Sequence, residues 1–380
     1  MSPPIVVYGA TGLVGGRVCA ALDAADIPFV AAGRRKDALK KLATLVGAAE
    51  VREAGVDDPD ALARAFSGAR VVINCAGPLA EVGEPILLAA LAAGAHYIDL
   101  GGDQRFLHDS YQAHESEARK GGKVVVPGCA INCAIGDWAS AWAASHVCGE
   151  GDADAEPVVR DVAPARLAED KPLDEIVVSY IYDHLVLSPG SQRAVFENLQ
   201  TRGLVWRRDR WESVASATEK RRVNVGPELG GERDAVSFPG GDVITVPRHI
   251  AARYVQTFVS TTRNVAATTA LRLLARAMPL LPKRASELLA PYQPAEDEYA
   301  RTQFAIVAQA RRGFSAAQVV VRGGDQYHAS AGIAAWVAQK LAARETGPVG
   351  IRAPSELFRA ARALREVCEV VGLAVEPSFA

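Results

Sequence analysis

The stretch Ile5-Val6-Val7-Tyr8-Gly9-Ala10-Thr11-Gly12-Leu13-Val14-Gly15 constrains the fold more than any other part of the chain. An apolar β run breaks into closely spaced glycines, and Val14, Val18, Cys19 and Leu22 then recur at helical spacing. A strand that passes through glycines straight into a helix is the opening unit of a dinucleotide-binding α/β domain. Gly9 lets the chain turn off the strand, Gly12 lets backbone N–H groups approach a pyrophosphate, and Gly15 lets the helix pack close to the sheet. The phosphates then sit on a helix N-terminus. The expected cofactor contacts here are Gly9, Thr11, Gly12, Leu13, Val14 and Gly15.

The choice of cofactor is written at the end of the second apolar run. Pro28-Phe29-Val30-Ala31-Ala32 reads as a strand and ends in Gly33-Arg34-Arg35-Lys36, with no carboxylate before Asp37. An acidic side chain at this place would accept from a ribose 2′-hydroxyl, whereas a 2′-phosphate calls for guanidinium groups. Arg34 and Arg35 therefore point to NADP. Asp57, in the turn after a third strand near 51–54, has a possible place beside the adenine, and Asp57 or Asp58 can cap a helix opened by Pro59.

Val71-Val72-Ile73-Asn74-Cys75-Ala76-Gly77-Pro78 reads as a buried parallel strand running into a loop, and Cys75, Ala76, Gly77 and Pro78 lie where an open α/β sheet binds its ligand. Gly83-Glu84-Pro85 is expected to open a helix over 86–93. His96-Tyr97-Ile98-Asp99-Leu100 and Val124-Val125-Val126 complete six strands. The alternation argues for α/β: a Rossmann doubly wound parallel sheet.

At 380 residues two domains are expected: an NADP-binding Rossmann domain over 1–128, and a mixed α+β substrate or dimerisation domain over 129–324. A formal net charge of -2 gives no general pull toward nucleic acid or anionic membrane. The chain enters its first strand almost at once, so no secretory leader is expected, and no apolar run is long enough for a membrane span. Six cysteines scattered at 19, 75, 129, 133, 148 and 368 do not make a disulfide framework, which suits a cytoplasmic setting. Cys129 and Cys133 lack a second close pair, so no metal site is expected. The run Arg207-Arg208-Asp209-Arg210 between Trp206 and Trp211 reads as a hairpin turn. No Gly-x-Ser-x-Gly elbow is present, and no tyrosine is followed by the Tyr-x-x-x-Lys spacing of short-chain dehydrogenases.

Val72-Ile73-Asn74-Cys75-Ala76-Gly77-Pro78, with Gly83-Glu84-Pro85 and His96-Tyr97-Ile98-Asp99-Leu100 behind it, resembles the cofactor domain of the saccharopine dehydrogenase-like oxidoreductases, a group that includes bacterial trans-acting enoyl reductases. Leu187-Ser188-Pro189-Gly190-Ser191, Ser237-Phe238-Pro239-Gly240-Gly241, Val246-Pro247-Arg248-His249 and Gly323-Gly324-Asp325-Gln326-Tyr327 are similar in the same order. The resemblance implies an NADPH-dependent reductase with hydride transfer at a cleft between two domains, and a C-terminal segment, 325–380, that returns to the first. Gly128 to Asp137 departs from the pattern, with two cysteines and an asparagine where relatives often carry an aromatic, an acid and a proline.

Hydride transfer to a C=N bond needs mainly orientation and charge complementarity, whereas an activated C=C bond also needs a proton donor. Tyr97 and Asp103 at strand ends, and Arg248 and His249 from the second domain, are the candidate catalytic residues; Asp99 and Asp137 are further candidates by position. His249 or Tyr97 would relay the proton, and Arg248 would orient an anionic or carbonyl group. The implied partner is a small-molecule substrate, with an acyl group on a carrier protein and a homodimer as further possibilities. A non-catalytic NADP-binding regulator is the rival class.

In the second half, 176–182, 235–238, 243–246, 253–260 and 318–321 read as strands. The stretches 268–278, 295–310 and 327–343 read as helices, with 149–174 and 280–294 as connections.

Overall fold

Ile5–Tyr8 is the first strand, β1, of a seven-stranded parallel sheet, and all four of its residues are buried. The structure, a computed structural model, describes residues 5–150, 157–262, 265–280 and 292–379. Around β1 lie β2 (Phe29–Gly33), β3 (Glu50–Glu53), β4 (Val71–Asn74), β5 (His96–Asp99) and β6 (Val124–Val126). The order is β6-β5-β4-β1-β2-β3, with the two-residue strand Gly350–Ile351 added parallel beside β6. This is the doubly wound arrangement expected, and its strand order reverses between β1 and β4, where such sheets take their ligand. Ile5, Val6, Val7, Val71, Val72 and Ile73 have no exposed surface; each stabilises the layer by roughly 1.5–3 kcal/mol.

Local chemistry explains how the elements begin. Asp58 caps the helix Pro59–Phe66, its Oδ1 accepting from Ala61 N at 2.9 Å, with Pro59 in the first turn. The helix expected to open at Gly83 in fact spans Leu79–Ala92 and carries Pro85 inside it. No helix among the described residues is long and apolar enough to cross a membrane.

The chain divides into two units. One comprises Met1–Ile131, Val159–Ala163 and Tyr327–Arg352; the other comprises Asn132–Val158, Pro164–Gln326 and Ala353–Ala380. The segment 325–380, expected to return whole to the first domain, is thus divided. The strand Gly350–Ile351 extends the parallel sheet, whereas Ala374–Phe379 pairs with a strand of the other one.

The second unit is built on a mixed sheet. Its strands are β7 (Glu175–Tyr182), β8 (Gly203–Arg207), β9 (Arg210–Val214), β10 (Lys220–Asn224), β11 (Glu232–Ser237), β12 (Tyr254–Ser260), β13 (Gln303–Arg312) and β14 (Ser315–Gly324). β7 pairs parallel with β12 and antiparallel with β13, and β13 with β14 antiparallel. The Arg207-Arg208-Asp209-Arg210 run is the turn of the β8–β9 hairpin. A π-helical turn, Ile131–Ile135, leads into the helix Gly136–Cys148, which packs on β13 and β14.

Two expectations are corrected here. Val243 to Val246, expected as a strand, lies in the helix Asp242–His249, and 295–310, expected as one helix, is the short helix Glu296–Arg301 followed by β13. Both β13 and the Asp242–His249 helix are largely buried, so neither shows the polar face that a periodicity argument needs. Much of the connections expected at 149–174 and 280–294 lies outside the described residues, at 151–156 and 281–291.

Candidate functional site

The three glycines after β1 are glycines for different reasons. Gly9 has φ +78°, and a Cβ there would stand 2.7 Å from Ala76 N, because the first turn lies against the loop after β4. At Gly15 a Cβ would meet Gly9 O at 2.3 Å, so helix and turn touch backbone to backbone. Gly12 has neither constraint. Its φ of -82° suits any residue, and an added Cβ would meet only Gly9 O, at 3.4 Å.

Gly12 is also the N-cap of the helix Leu13–Ala24, which has no side-chain cap and no acidic residue in its first turn. Helix N-terminal amides left without a side-chain acceptor favour an anion. The arrangement fits a pyrophosphate on Thr11, Gly12, Leu13 and Val14.

At the end of β2, Arg34 and Arg35 are exposed, and Arg35 Nη2 donates to Thr11 Oγ1 at 3.1 Å. The glycine loop and the guanidinium pair are therefore one locality. Tyr8 links it to Asp57: burial raises the Tyr8 phenol first, with Arg34 lowering it and Asp57 raising it. On the other side of β1, Asn74 Oδ1 accepts from Ala76 N at 2.9 Å, holding the loop of Cys75, Ala76, Gly77 and Pro78.

The structure gives the other candidates definite partners. Tyr97 is fully buried, and its hydroxyl accepts from Asn74 Nδ2 at 3.0 Å. Burial, then the neighbouring Asp99 charge, raise its phenol well above the usual range. Asp103 caps the helix Gln104–Ala113 through Phe106 N at 2.8 Å. Arg248 Nε pairs with Glu356 Oε2 at 3.1 Å. His249 Nε2 lies 2.8 Å from Asp137 Oδ2, with 3% and 0% of the two side chains exposed. Tyr97 and Asp103 thus belong to the first unit, and in the second His249 makes a buried polar contact and Arg248 a half-buried one.

Sequence reasoning missed Tyr180 and Asp242. Tyr180 Oη donates to Asp242 Oδ2 at 2.8 Å, and both are buried. Burial pushes the Asp242 carboxyl up to about 8, the Asp137 charge adds to this, and the Tyr180 hydroxyl opposes it. Gly136 completes the packing, since a Cβ there would stand 2.1 Å from Asp242 Oδ1. Asp137, by contrast, is held below the usual range: burial acts to raise it, but His249 and Ser355 outweigh that. Asp242 stands just before the stretch 243–246 expected as a strand, and nothing local to it signals the distant Tyr180.

A pH signature follows. Asp242 is protonated in the fold up to about pH 8 but ionises near 3.8 when unfolded, so the folded state holds the extra proton between those values. Stability from this group is full below the lower value and is lost as pH rises toward the upper one, with a slope of up to about 1.4 kcal/mol per pH unit. Asp242→Asn should remove that slope, so its melting temperature rises relative to wild type from pH 5 to 8. Parallel melting curves across that range would show Asp242 to be ionised in the fold.

Cys129 and Cys133 are buried thiols, and among the described residues no group of three or more His, Cys, Asp or Glu is placed to hold a metal ion.

A parallel sheet with an uncapped glycine turn at its switch point and arginines at the end of β2 defines a Rossmann-type dinucleotide-binding protein. Residues 5–126 match the family model described as the saccharopine dehydrogenase NADP binding domain. Over those residues, about a third of the chain, the first unit carries a domain similar to the NADP-binding domain of saccharopine dehydrogenase.

The chain is 33% identical over 138 residues to a saccharopine dehydrogenase-like oxidoreductase of Mus musculus, covering 31% of this chain and 32% of that protein. It is 28% identical over 139 residues to a trans-acting enoyl reductase of Mycobacterium leprae, covering 35% and 33%. The matched segments therefore span about a third of these relatives' lengths. The apo saccharopine dehydrogenase (L-Glu forming) of Saccharomyces cerevisiae shares the fold over 100% of both chains, with a TM-score of 0.66 at 13% identity.

Proposed function

We propose that the protein is an NADPH-dependent reductase that transfers hydride to a C=N or activated C=C bond of a small-molecule or biosynthetic intermediate. The observation that carries this reading is Gly12, whose lack of a side chain nothing in the chain's own packing requires, and which stands at an uncapped helix N-terminus beside Arg35. When bound, NADPH supplies the hydride. The chain's part is to hold it: Thr11 to Val14 receive the pyrophosphate, Arg34 and Arg35 the 2′-phosphate, and 75–78 the nicotinamide side.

An acyl group delivered on a carrier protein is the second substrate reading, favoured by the likeness to the trans-acting enoyl reductase over 35% of the chain. The test is NADPH deuterated at nicotinamide C4, incubated with cyclic imines and with enoyl groups on a carrier protein. Deuterium in a reduced product supports a reductase and identifies the bond. Tight NADPH binding with no transfer to any acceptor would indicate a regulator instead.

A further inference from the structure

The carboxyl ends of β4, β5 and β6 are tied together by side chains that neither glycine loop nor arginines account for. Asp99, at the end of β5, has no exposed surface. Its Oδ1 accepts from Gly101 N and from Gly128 N, each at 3.0 Å, so one oxygen pins the loops after β5 and β6. Its carbonyl oxygen accepts from Cys129 N at 2.6 Å. Beside it, Tyr97 joins Asn74, and Asn74 pins Ala76 in the loop after β4.

Gly128 has φ +75°, and a Cβ on Gly101 would stand 2.0 Å from Leu79 Cδ1, in the first turn of the helix that follows the β4 loop. The Asp99 carboxyl is thus held by the Gly101 and Gly128 amides and by the neighbouring Tyr97 hydroxyl.

We propose that Asp99 is a positioning residue, which with Tyr97 and Asn74 sets the loops after β4, β5 and β6 to receive the nicotinamide half of the cofactor. The proposal rests on the NADP reading. In this sheet order the β1–β3 half takes the adenosine side, and the three pinned loops form the other half of the crevice. Burial pushes the Asp99 carboxyl up to about 7, with the Gly128 and Gly101 amides and the Tyr97 phenol opposing and Asp103 adding to the rise. A neutral carboxylic acid accepts both amide bonds as an amide side chain would, so Asp99→Asn is the conservative replacement.

The experiment compares two ligands: NADPH, and 2′-phospho-ADP-ribose, which keeps the adenosine and pyrophosphate but lacks nicotinamide. Asp99→Ala leaves the buried Gly128 amide and the half-buried Gly101 amide without their acceptor and should weaken NADPH by about tenfold or more, with the fragment changed by less than about twofold. Asp99→Asn should restore NADPH to within about threefold of wild type. Should Asp99→Ala fail to fold, Tyr97→Phe carries the test, with an expected loss for NADPH alone.

Amide hydrogen exchange without ligand is the second readout. Exchange should rise at Gly101 and Gly128 in Asp99→Ala and at Ala76 in Tyr97→Phe, while the amides of 12–15 stay as in wild type. Equal losses for both ligands, or NADPH binding unaffected in Asp99→Ala and Tyr97→Phe, would overturn the proposal. A wild-type protein that binds the fragment but shows no added affinity for NADPH would overturn it too. Wild type binding neither ligand would instead overturn the NADP reading on which it stands.

Discussion

Gly12→Val is expected to lower NADPH affinity by at least about a hundredfold while shifting the thermal unfolding midpoint by less than about two degrees. The contrast comes from the geometry around the position. Extended backbone at Gly12 accepts any residue, and the nearest atom to an added Cβ is a single carbonyl oxygen at 3.4 Å. The folded protein therefore accommodates a Cβ here with one close contact, and the space a branched residue fills beyond it is that of the pyrophosphate. Gly15→Val is the control with the opposite pattern, since its Cβ would stand 2.3 Å from Gly9 O and the helix must move. Calorimetric titration together with thermal melts separates the two. An NADPH affinity within threefold of wild type in Gly12→Val would place the cofactor elsewhere.

Arg34→Ala should weaken NADPH by about tenfold to a hundredfold and NADH by less than about twofold, because a guanidinium on a phosphate makes charge-assisted hydrogen bonds that the 2′-hydroxyl cannot match. Arg35→Ala should behave differently. Its guanidinium also holds Thr11, so its removal loosens the glycine loop and weakens NADH as well. Titrating each variant with both cofactors reads the difference directly. Equal losses for NADPH and NADH in Arg34→Ala would remove that residue from the 2′-phosphate site. Raised salt should narrow the NADPH advantage of wild type, since both arginines are exposed and screened.

The first unit was legible because its signals are local. Glycine spacing, the basic turn after β2 and the Asp58-Pro59 cap each act within a few residues of where they are written. The candidate chemistry beyond the cofactor loop was less so. Tyr97, Asp103, Arg248 and His249 were selected by position or family pattern, and the partners that define their surroundings are distant in sequence. His249 meets Asp137 across 112 positions and Arg248 meets Glu356 across 108, pairings that no spacing rule contains.

The failures of secondary-structure reading share a cause. Asp242-Val243-Ile244-Thr245-Val246 is rich in β-branched residues, which favour strands. Yet all five are buried in a helix, where tertiary fit overrides intrinsic preference. At Pro85, a proline taken to open a helix sits inside one that starts at Leu79, leaving Glu81 O without the N–H that another residue would have supplied.

The first unit is completed by chain made long after it begins. Gly350–Ile351 lies beside β6, and Ile351 N and Arg352 Nη1 both bind the Glu115 carboxylate, 236 and 237 positions earlier. A ribosome translating this protein therefore releases six strands of the NADP domain well before the residues that close the outer side of β6. Until then that edge offers unpaired backbone groups, a template for pairing with another chain. Expression of 1–131 alone should be prone to aggregation, and synthesis of the full chain should be most vulnerable to stalling before position 352.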